Sequence, residues 1–436
     1  MYWYLTPINS PDYPVKMRSR IGTFNSICII YFFLDIYTFF GLRSLFTNKT
    51  AKTLFSLLYI ATSIFIYFSF YQFYVAFTGG GFFSSTKSNI YLGIILTAII
   101  SKFVFVVLLF AQDLGRVLYG LGYFLFGKKA NNNPSEKTRI IPSRRRFLTL
   151  AATGIAAIPF STMLYGITRG KYAYTVNKVS LKFPDLPPAF SGFKIVQISD
   201  IHAGSLDSQQ AVARGVKMIN EQQPDIVVFT GDLVNSDKDE VDDYIDVFKE
   251  ISAKYGKFSV LGNHDYYGAP NKGNGEKAYW ADFTKKYEAM GFRLLNNENE
   301  FIEKEGDRIC LMGVENWGRG RWFPKYGDVD KALEGTREEE FCVLLSHDPT
   351  HWDEKVLPHH KHIHLTLSGH THGFQFGINM PGFKWSPAQY RYEKWMGLYE
   401  EAKQYLYINR GFGFLAFPGR IGMWPEITVI ELERKI

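Results

Sequence analysis

The chain has 436 residues, of which 46% are hydrophobic and 17% aromatic, with a formal net charge of +7 and a mean hydropathy of −0.10. Three cysteines leave no room for a disulfide framework, and no long internal repeat or extended low-complexity tract argues for a solenoid or fibre. Much of the positive excess flanks long apolar runs, where membrane topology accounts for it, and no basic stripe interleaved with aromatics points to nucleic acid. The near-neutral hydropathy averages two unlike parts, an apolar, aromatic-rich front and a polar remainder.

Residues 21–40, 54–77 and 90–110 are each long enough to cross a bilayer, given about 20 residues per span, and 147–167 is a fourth candidate. Amphipathic core helices would show a charged face every turn, and these runs do not. Asp35 and Lys102 are the charged exceptions, which either neutralise each other inside a bundle or reach outward from an interface. Arg43, Lys49 and Lys52 mark the first loop and Lys87 alone the second. Lys128, Lys129, Lys137, Arg139, Arg144, Arg145 and Arg146 mark the third, so loops one and three are expected in the cytoplasm. The N-terminal Lys16, Arg18 and Arg20 argue the other way. A fourth span would place Gly170 onward outside, as a multi-pass protein of the cell membrane with an extracytoplasmic catalytic domain.

Residues 129–142, with Asn131-Asn132-Asn133-Pro134, form the clear linker. Ser143-Arg144-Arg145-Arg146-Phe147-Leu148, before an Ala-, Thr- and Gly-rich stretch, resembles a twin-arginine export signal, with an ordinary basic flank to a membrane helix as the alternative. The expected organisation is a membrane region over 1–127, a basic cytoplasmic linker over 128–146, a transmembrane or export-signal helix over 147–168, and a catalytic domain over 171–436.

Within that domain, strand-like runs at 193–198, 225–229, 258–261, 341–345 and 363–367 alternate with helical periodicity at 208–222 and 241–254. This pattern predicts a layered α/β fold with ligands gathered at the carboxyl ends of the strands. Each strand run is followed by a polar cluster: Asp200-Ile201-His202, Gly231-Asp232, Gly262-Asn263-His264-Asp265, Ser346-His347-Asp348 and Gly369-His370-Thr371-His372. One such cluster occurs readily by chance. Five in order, each after a strand, supply the hard-oxygen and imidazole set that holds a pair of divalent cations. Gly231, Gly262 and Gly369 permit the tight turns that aim these groups inward.

An aspartate bridging two cations about 3.5–4 Å apart makes a clamp for a phosphoryl group, and metal lowers the pKa of water toward ~7, giving a hydroxide nucleophile without a side-chain base. His264 is suited to contact a phosphoryl or leaving oxygen, with Asp265 as a carboxylate that orients its ring. Arg410 and Arg420 are candidate phosphate contacts or salt-bridge partners. His351, His359, His360, His362 and His364 form a dense patch, read as loop and strand residues in preference to another metal site. Cys28 lies in the first span, and Cys310 and Cys342 are expected as buried free thiols, a bridge between them remaining open for an external domain. Trp317, Trp322, Phe323, Trp385, Tyr390, Tyr392 and Trp395 belong either to the core or to a rim that grips an apolar group or dips toward lipid.

The five ordered blocks resemble the calcineurin-like metallophosphoesterases, whose pattern reads D-x-H, G-D, G-N-H-D/E, H and G-H-x-H. Asn409-Arg410-Gly411-Phe412-Gly413, Pro418-Gly419-Arg420 and Pro425-Glu426-Ile427 are similar to its membrane-associated or exported bacterial subgroup. Phe374 and Trp424 depart from the subgroup's pattern. The resemblance covers roughly the last three-fifths of the chain and implies a four-layer α/β/β/α sandwich. It further implies a first metal held by Asp200, His202, Asp232 and His372, and a second held by bridging Asp232 with Asn263, His347 and His370. In that family the histidine matching His264 contacts the substrate phosphate or protonates the leaving group. The implied activity is hydrolysis of a phosphodiester or phosphomonoester with two divalent ions, manganese, iron or zinc. Membrane anchorage favours an envelope or lipid-linked substrate over nucleic acid. A metal-containing receptor or scaffold for a phosphorylated ligand, and a cytoplasm-facing lipid-precursor pyrophosphatase, are the alternatives.

Overall fold

A long run without charged side chains can satisfy its backbone groups in an apolar solvent by coiling into an α-helix. A computed structural model describes residues 13–78, 86–126, 142–270, 274–321 and 323–435. The basic linker at 128–141 and Trp322 lie outside these residues. The chain divides into one unit of residues 1–82 and 90–165 and another of residues 83–89 and 166–436. Its helices α1 (Tyr13–Arg43), α2 (Lys49–Thr78), α3 (Thr86–Phe126) and α4 (Pro142–Thr168) each contain a segment long and apolar enough to cross a membrane.

The third helix is longer than the apolar run alone indicates. Its 41 residues extend about 60 Å at 1.5 Å per residue. The continuation past residue 110 carries only Asp113 and Arg116 as charges, paired at 3.5 Å one turn apart, so nothing in it stops a helix. Of the two alternatives for Asp35 and Lys102, pairing is the one found. Lys102 Nζ binds the Asp35 carboxylate and donates to Tyr31 at 2.6 Å, while Asp35 Oδ1 accepts from Tyr59 at 2.8 Å and Ser63 at 3.1 Å.

In the second unit the strands and helices follow as β1 (Thr175–Phe183), β2 (Phe193–Ile198), α5 (Gln209–Asn220), β3 (Ile226–Phe229), α6 (Ile245–Lys249), β4 (Lys257–Ser259), α7 (Asn274–Ala289), β5 (Phe292–Leu294), β6 (Glu298–Lys304) and β7 (Asp307–Gly313). They continue as α8 (Val329–Ala332), β8 (Cys342–Leu345), β9 (Leu365–Ser368), β10 (Ile378–Met380), β11 (Phe383–Trp385), β12 (Gly397–Glu401), β13 (Gln404–Ile408) and β14 (Glu426–Arg434). The helix expected over 241–254 is shorter, since a 3-10 stretch at Lys238–Tyr244 precedes α6 and the chain leaves the helix after Lys249. Asp237 and Glu240 form a capping box that fixes where this stretch begins.

Two six-stranded sheets result, ordered β1-β14-β2-β3-β4-β5 and β12-β13-β9-β8-β7-β6. Strands β2 to β5 run parallel, as do β7, β8, β9 and β13, so the carboxyl ends of the block-bearing strands in each sheet share one rim. The apolar run Ile226-Val227-Val228-Phe229 shows how the layers form. Ile226 and Val228 point between the sheets, with Ile195, Leu345 and Leu367, whereas Val227 and Phe229 point out under α5 and α7, against Val216 and Phe283. Cys310, Met312, Cys342 and Leu344 play the outward part on the second sheet, beneath Val329 and Trp352. Four layers follow, helices outside two facing sheets. Each fully buried Val, Ile or Phe contributes about 1.5–3 kcal/mol relative to exposure.

Cys310 and Cys342 are register partners on β7 and β8, both buried and both free thiols. Arg410 and Glu426 form an ion pair that is almost fully buried beside β13 and β14, and the Glu426 carboxylate also accepts from Tyr407 at 2.5 Å and Thr428 at 2.8 Å. Glu426→Gln leaves the Arg410 guanidinium uncompensated in that setting. It should lower the unfolding free energy by about 3–5 kcal/mol, measured by denaturant titration of the full chain in detergent. A change within error of zero would show that the pair is not a stabilising contact.

Candidate metal centre

The rim where the two sheets meet collects the five polar clusters. Asp200 and Asp232 follow β2 and β3 in the first sheet, and Asn263 and His264 follow β4, while His347 and His370 follow β8 and β9 in the second. Their side-chain atoms form a continuous line. Asp200 Oδ1 lies 3.1 Å from His372 Nε2, which lies 3.0 Å from His202 Nε2. His202 Nε2 is 3.6 Å from Asp232 Oδ2, His347 Nε2 is 3.2 Å from that same oxygen, and His370 Nδ1 is 3.3 Å from His347 Nε2. Two trios emerge, Asp200–His202–His372 and Asp232–His347–His370, and the ligand atoms within each lie within 4.8 Å of one another. The structure thus brings six of the seven candidate ligands to one place, and Asn263 directly precedes His264, whose backbone N–H meets Asp232.

Hydrogen bonds across the seam lock this convergence. Thr230 O accepts from His347 Nδ1 at 2.7 Å, and the His370 backbone N–H donates to the Asp200 carboxylate at 3.0 and 3.1 Å. Just below, Gln197 donates to Ser368 O at 2.9 Å and to Thr230 Oγ1 at 3.0 Å. Backbone geometry is equally specialised. Asp200, His202, Asp232, His370 and His372 all have positive φ, between 49° and 72°, a conformation that non-glycine residues adopt at a cost of order 1–3 kcal/mol each. Gly262 and Gly369 are needed for close approach, because a Cβ would stand 2.2 Å from Asp232 Oδ1 at the former and 1.9 Å from Ser199 Oγ at the latter.

Burial is the largest influence on Asp200, His202, Asp232, His264, Asp265, His347 and His370. It works against ionisation of Asp200 and Asp232, but His372 beside the first and His347 and His264 beside the second hold both carboxylates below their usual range. Burial alone would neutralise His347, yet Asp232 overrides it and raises the ring to about 10. His202, His264 and His370 lack so strong a partner and are lowered by burial. Asp265 is raised to about 7 by burial and by the Asp232 charge, against the pull of its backbone N–H donors.

The structure corrects the role of Asp265 and selects among those open for Arg410 and Arg420. Asp265 does not touch the His264 ring. Its carboxylate accepts from the backbone N–H groups of Gly262, Asp232, Leu233 and Val234 at 2.8–3.3 Å, because three consecutive amides after β3 turn toward it. The His264 ring is anchored instead by its Nδ1, 2.7 Å from Asn235 O, and Asn235 is held by its own N–H on the Glu240 carboxylate at 2.5 Å. Arg410 is committed to Glu426 and offers no phosphate contact. Arg420 is fully buried, donating to Gly413 O at 2.7 Å and Met423 O at 3.1 Å with Nη2 3.3 Å from His372 Nδ1, so it positions a candidate ligand.

Several contacts carried no sequence signal. Tyr392 OH is 3.0 Å from His370 Nε2, Phe323 lies edge-on to the same ring at 5.0 Å, and Tyr267 OH accepts from Asn263 Nδ2 at 2.8 Å. Asn235 was nearer to being readable, since it sits three residues past Asp232 and ahead of the capping box. Of the other aromatics, Trp317, Tyr392 and Trp395 are buried while Tyr390 is exposed. In the histidine patch, His351 bonds Ser346 Oγ at 2.8 Å, His364 pairs with Asp185 at 3.2 Å, and His359 and His360 share a largely exposed cluster with Asp330.

The donor set suits a cation. Unshielded nitrogen and carboxylate atoms face one another at 3.0–3.6 Å, and among the described residues Asn263 Oδ1 and His202 Nδ1 are buried without a hydrogen-bond partner. Buried polar atoms of this kind are costly unless something else coordinates them.

The comparisons with known proteins agree with this geometry. Residues 17–171 match the probable calcineurin-like phosphoesterase transmembrane domain, and residues 193–374 match the calcineurin-like phosphoesterase domain. The chain is 30% identical over 338 residues to a zebrafish (Danio rerio) transmembrane protein with metallophosphoesterase domain, covering 76% of this chain and 72% of that one. It is also 30% identical over 301 residues to an uncharacterized metallophosphoesterase, YkuE, of Bacillus subtilis, covering 67% and 98% respectively.

Because a ligating imidazole must be deprotonated, the high value at His347 has a measurable effect. Without metal, its proton stabilises the fold fully below the ordinary value of about 6.5, and that contribution is lost as pH rises through about 10. If His347 is a ligand, metal uptake displaces the same proton. Calorimetric titration of the metal-free chain with manganese, in buffers of different ionisation heat, should therefore show proton release at neutral pH and an affinity that climbs toward pH 10. Absence of proton release would contradict the assignment of His347.

Proposed function

The chain belongs to the calcineurin-like metallophosphoesterases that carry a transmembrane domain, and from that premise we propose that it is a two-metal phosphohydrolase acting on a lipid-linked or other envelope phosphoester outside the cytoplasm. It is a phosphoester hydrolase and a membrane protein; the metal count, ligand assignment, substrate and orientation are our reading. The observation that carries it is the meeting of two ligand trios at Asp232 Oδ2. We assign the first cation to Asp200, His202, Asp232 and His372, and the second to Asp232, Asn263, His347 and His370. We assign catalysis to residues 171–436, anchorage to four spans, and the connection between the third and fourth to a basic cytoplasmic linker at 128–146.

When bound, divalent ions supply a water-derived nucleophile near neutral pH and neutralise charge on the phosphoryl oxygens. The chain's own groups supply orientation. Asp232 Oδ1 accepts the His264 backbone N–H at 2.8 Å, leaving Oδ2 between the two trios. Since a carbonyl can only accept, Asn235 O requires the proton on His264 Nδ1 and assigns Nε2 to the reacting phosphate or leaving oxygen. Burial favours the neutral form of that ring. An anionic phosphoester adds a second negative charge to that of Asp232, so the protonated form that donates to the leaving oxygen gains on binding.

Asp232→Asn should abolish hydrolysis of both p-nitrophenyl phosphate and bis-p-nitrophenyl phosphate and lower bound metal in elemental analysis; retained activity refutes the assignment. His264→Ala should cut kcat by roughly 10²–10⁴-fold while metal content holds. Unchanged kinetics would remove its role. Protease treatment of intact spheroplasts should release the C-terminal domain, and full protection would reverse the orientation.

A further inference from the structure

Two residues beyond the last candidate ligand, His372, the chain turns to an unusual surface. Phe374 adopts φ +52° and ψ +16°, an unfavourable conformation for an aromatic residue, and the strain presents its ring at the surface. Phe376 is also exposed, and the chain then forms the two-stranded hairpin β10–β11, closed by Pro381-Gly382 with Gly382 at φ +79°. Its root is tied to the metal centre, because Ser386 Oγ donates to Gly373 O at 2.7 Å.

The hairpin is amphipathic. Its register pairs Ile378 with Trp385, Asn379 with Lys384, and Met380 with Phe383. Directly paired residues share a face and successive residues alternate, so Ile378, Met380, Phe383 and Trp385 line one side and Asn379 and Lys384 the other. The apolar side is open, with Ile378 41%, Met380 56% and Phe383 52% exposed. An isolated two-stranded hairpin is marginal in water, and a contiguous apolar face near a reactive centre marks an interaction site.

We propose that this face docks into the surface of a lipid bilayer and brings the metal centre to phosphoesters carried on lipids. Three observations select a bilayer as the partner. Only six residues, 169–174, separate α4 from β1, at most about 20 Å of extended chain, so the unit that carries the hairpin is tethered closely to a membrane helix. Residues 376–392 contain Lys384 and Arg391 and no acidic side chain, which complements anionic headgroups. Trp385 and Tyr390 supply the amphipathic rings that favour the headgroup level. The substrate class rests on the phosphohydrolase reading above, whereas the docking does not.

The test places a polarity-sensitive fluorophore on Met380→Cys or on Asn379→Cys in the full chain, with Cys28→Ser in both; Cys310 and Cys342 are fully buried. Each protein is reconstituted in nanodiscs of phosphatidylethanolamine and phosphatidylglycerol, with and without doxyl-labelled lipid. The label at 380 should be blue-shifted and quenched by the doxyl lipid, and the label at 379 should not. No quenching at either position, or equal quenching at both, would overturn the proposal. Hydrolysis of p-nitrophenyl phosphate by the same samples separates the two readings. Quenching at 380 without turnover sinks the hydrolase and leaves the docking, whereas turnover without quenching does the reverse.

Discussion

Two carboxylates taken wholly out of water, Asp200 and Asp232, set the terms for the rest of the catalytic unit. A buried anion costs several kcal/mol even after its surroundings relax, so every group that meets these two must return part of that. The first sheet alone does not suffice. The histidines that face them most closely, His372 and His347, arrive on the second sheet, and the amides of His370 and His264 point at their oxygens. The two sheets are therefore held together at this edge by charge and hydrogen bonding, and further in by close apolar packing such as Ile226 and Val228 against Leu345 and Leu367.

The same requirement explains the positioning groups around the centre. Asp265 gathers four amides and so shapes the turn after β3, Asn235 and Glu240 fix one face of His264, and Arg420 braces His372. A site with this many fixed partners has little freedom to reorganise, which is what electrostatic stabilisation of a developing phosphoryl charge demands.

Reading the residues alone located the strands and the polar clusters behind them, because a buried parallel strand announces itself as an unbroken apolar run and its ligand follows immediately. It also placed the four apolar helices. It failed where contacts are nonlocal or where backbone conformation decides. Asp265 beside His264 looked like its partner, yet the turn geometry sends the carboxylate to the amides after β3. Arg410 stood open between a phosphate contact and a salt bridge, because Glu426, sixteen residues later, is adjacent only once β13 and β14 have formed. The left-handed conformations at five candidate ligands carry no sequence mark, since aspartate and histidine adopt them without glycine's signature. The third helix overran its apolar run because one well-placed ion pair is no barrier to helix propagation.

The order of strands in the first sheet governs when this protein acquires its chemistry. The last strand, β14, lies between the first two, β1 and β2, in register with β1 from Thr175↔Glu426 to Phe183↔Arg434. A ribosome must thus have delivered residue 434 before the sheet can close, and closing so wide a loop is a late event in folding. Any cation reaching the nascent chain earlier would meet loose histidines and carboxylates, so maturation of the centre waits on the synthesis of β14.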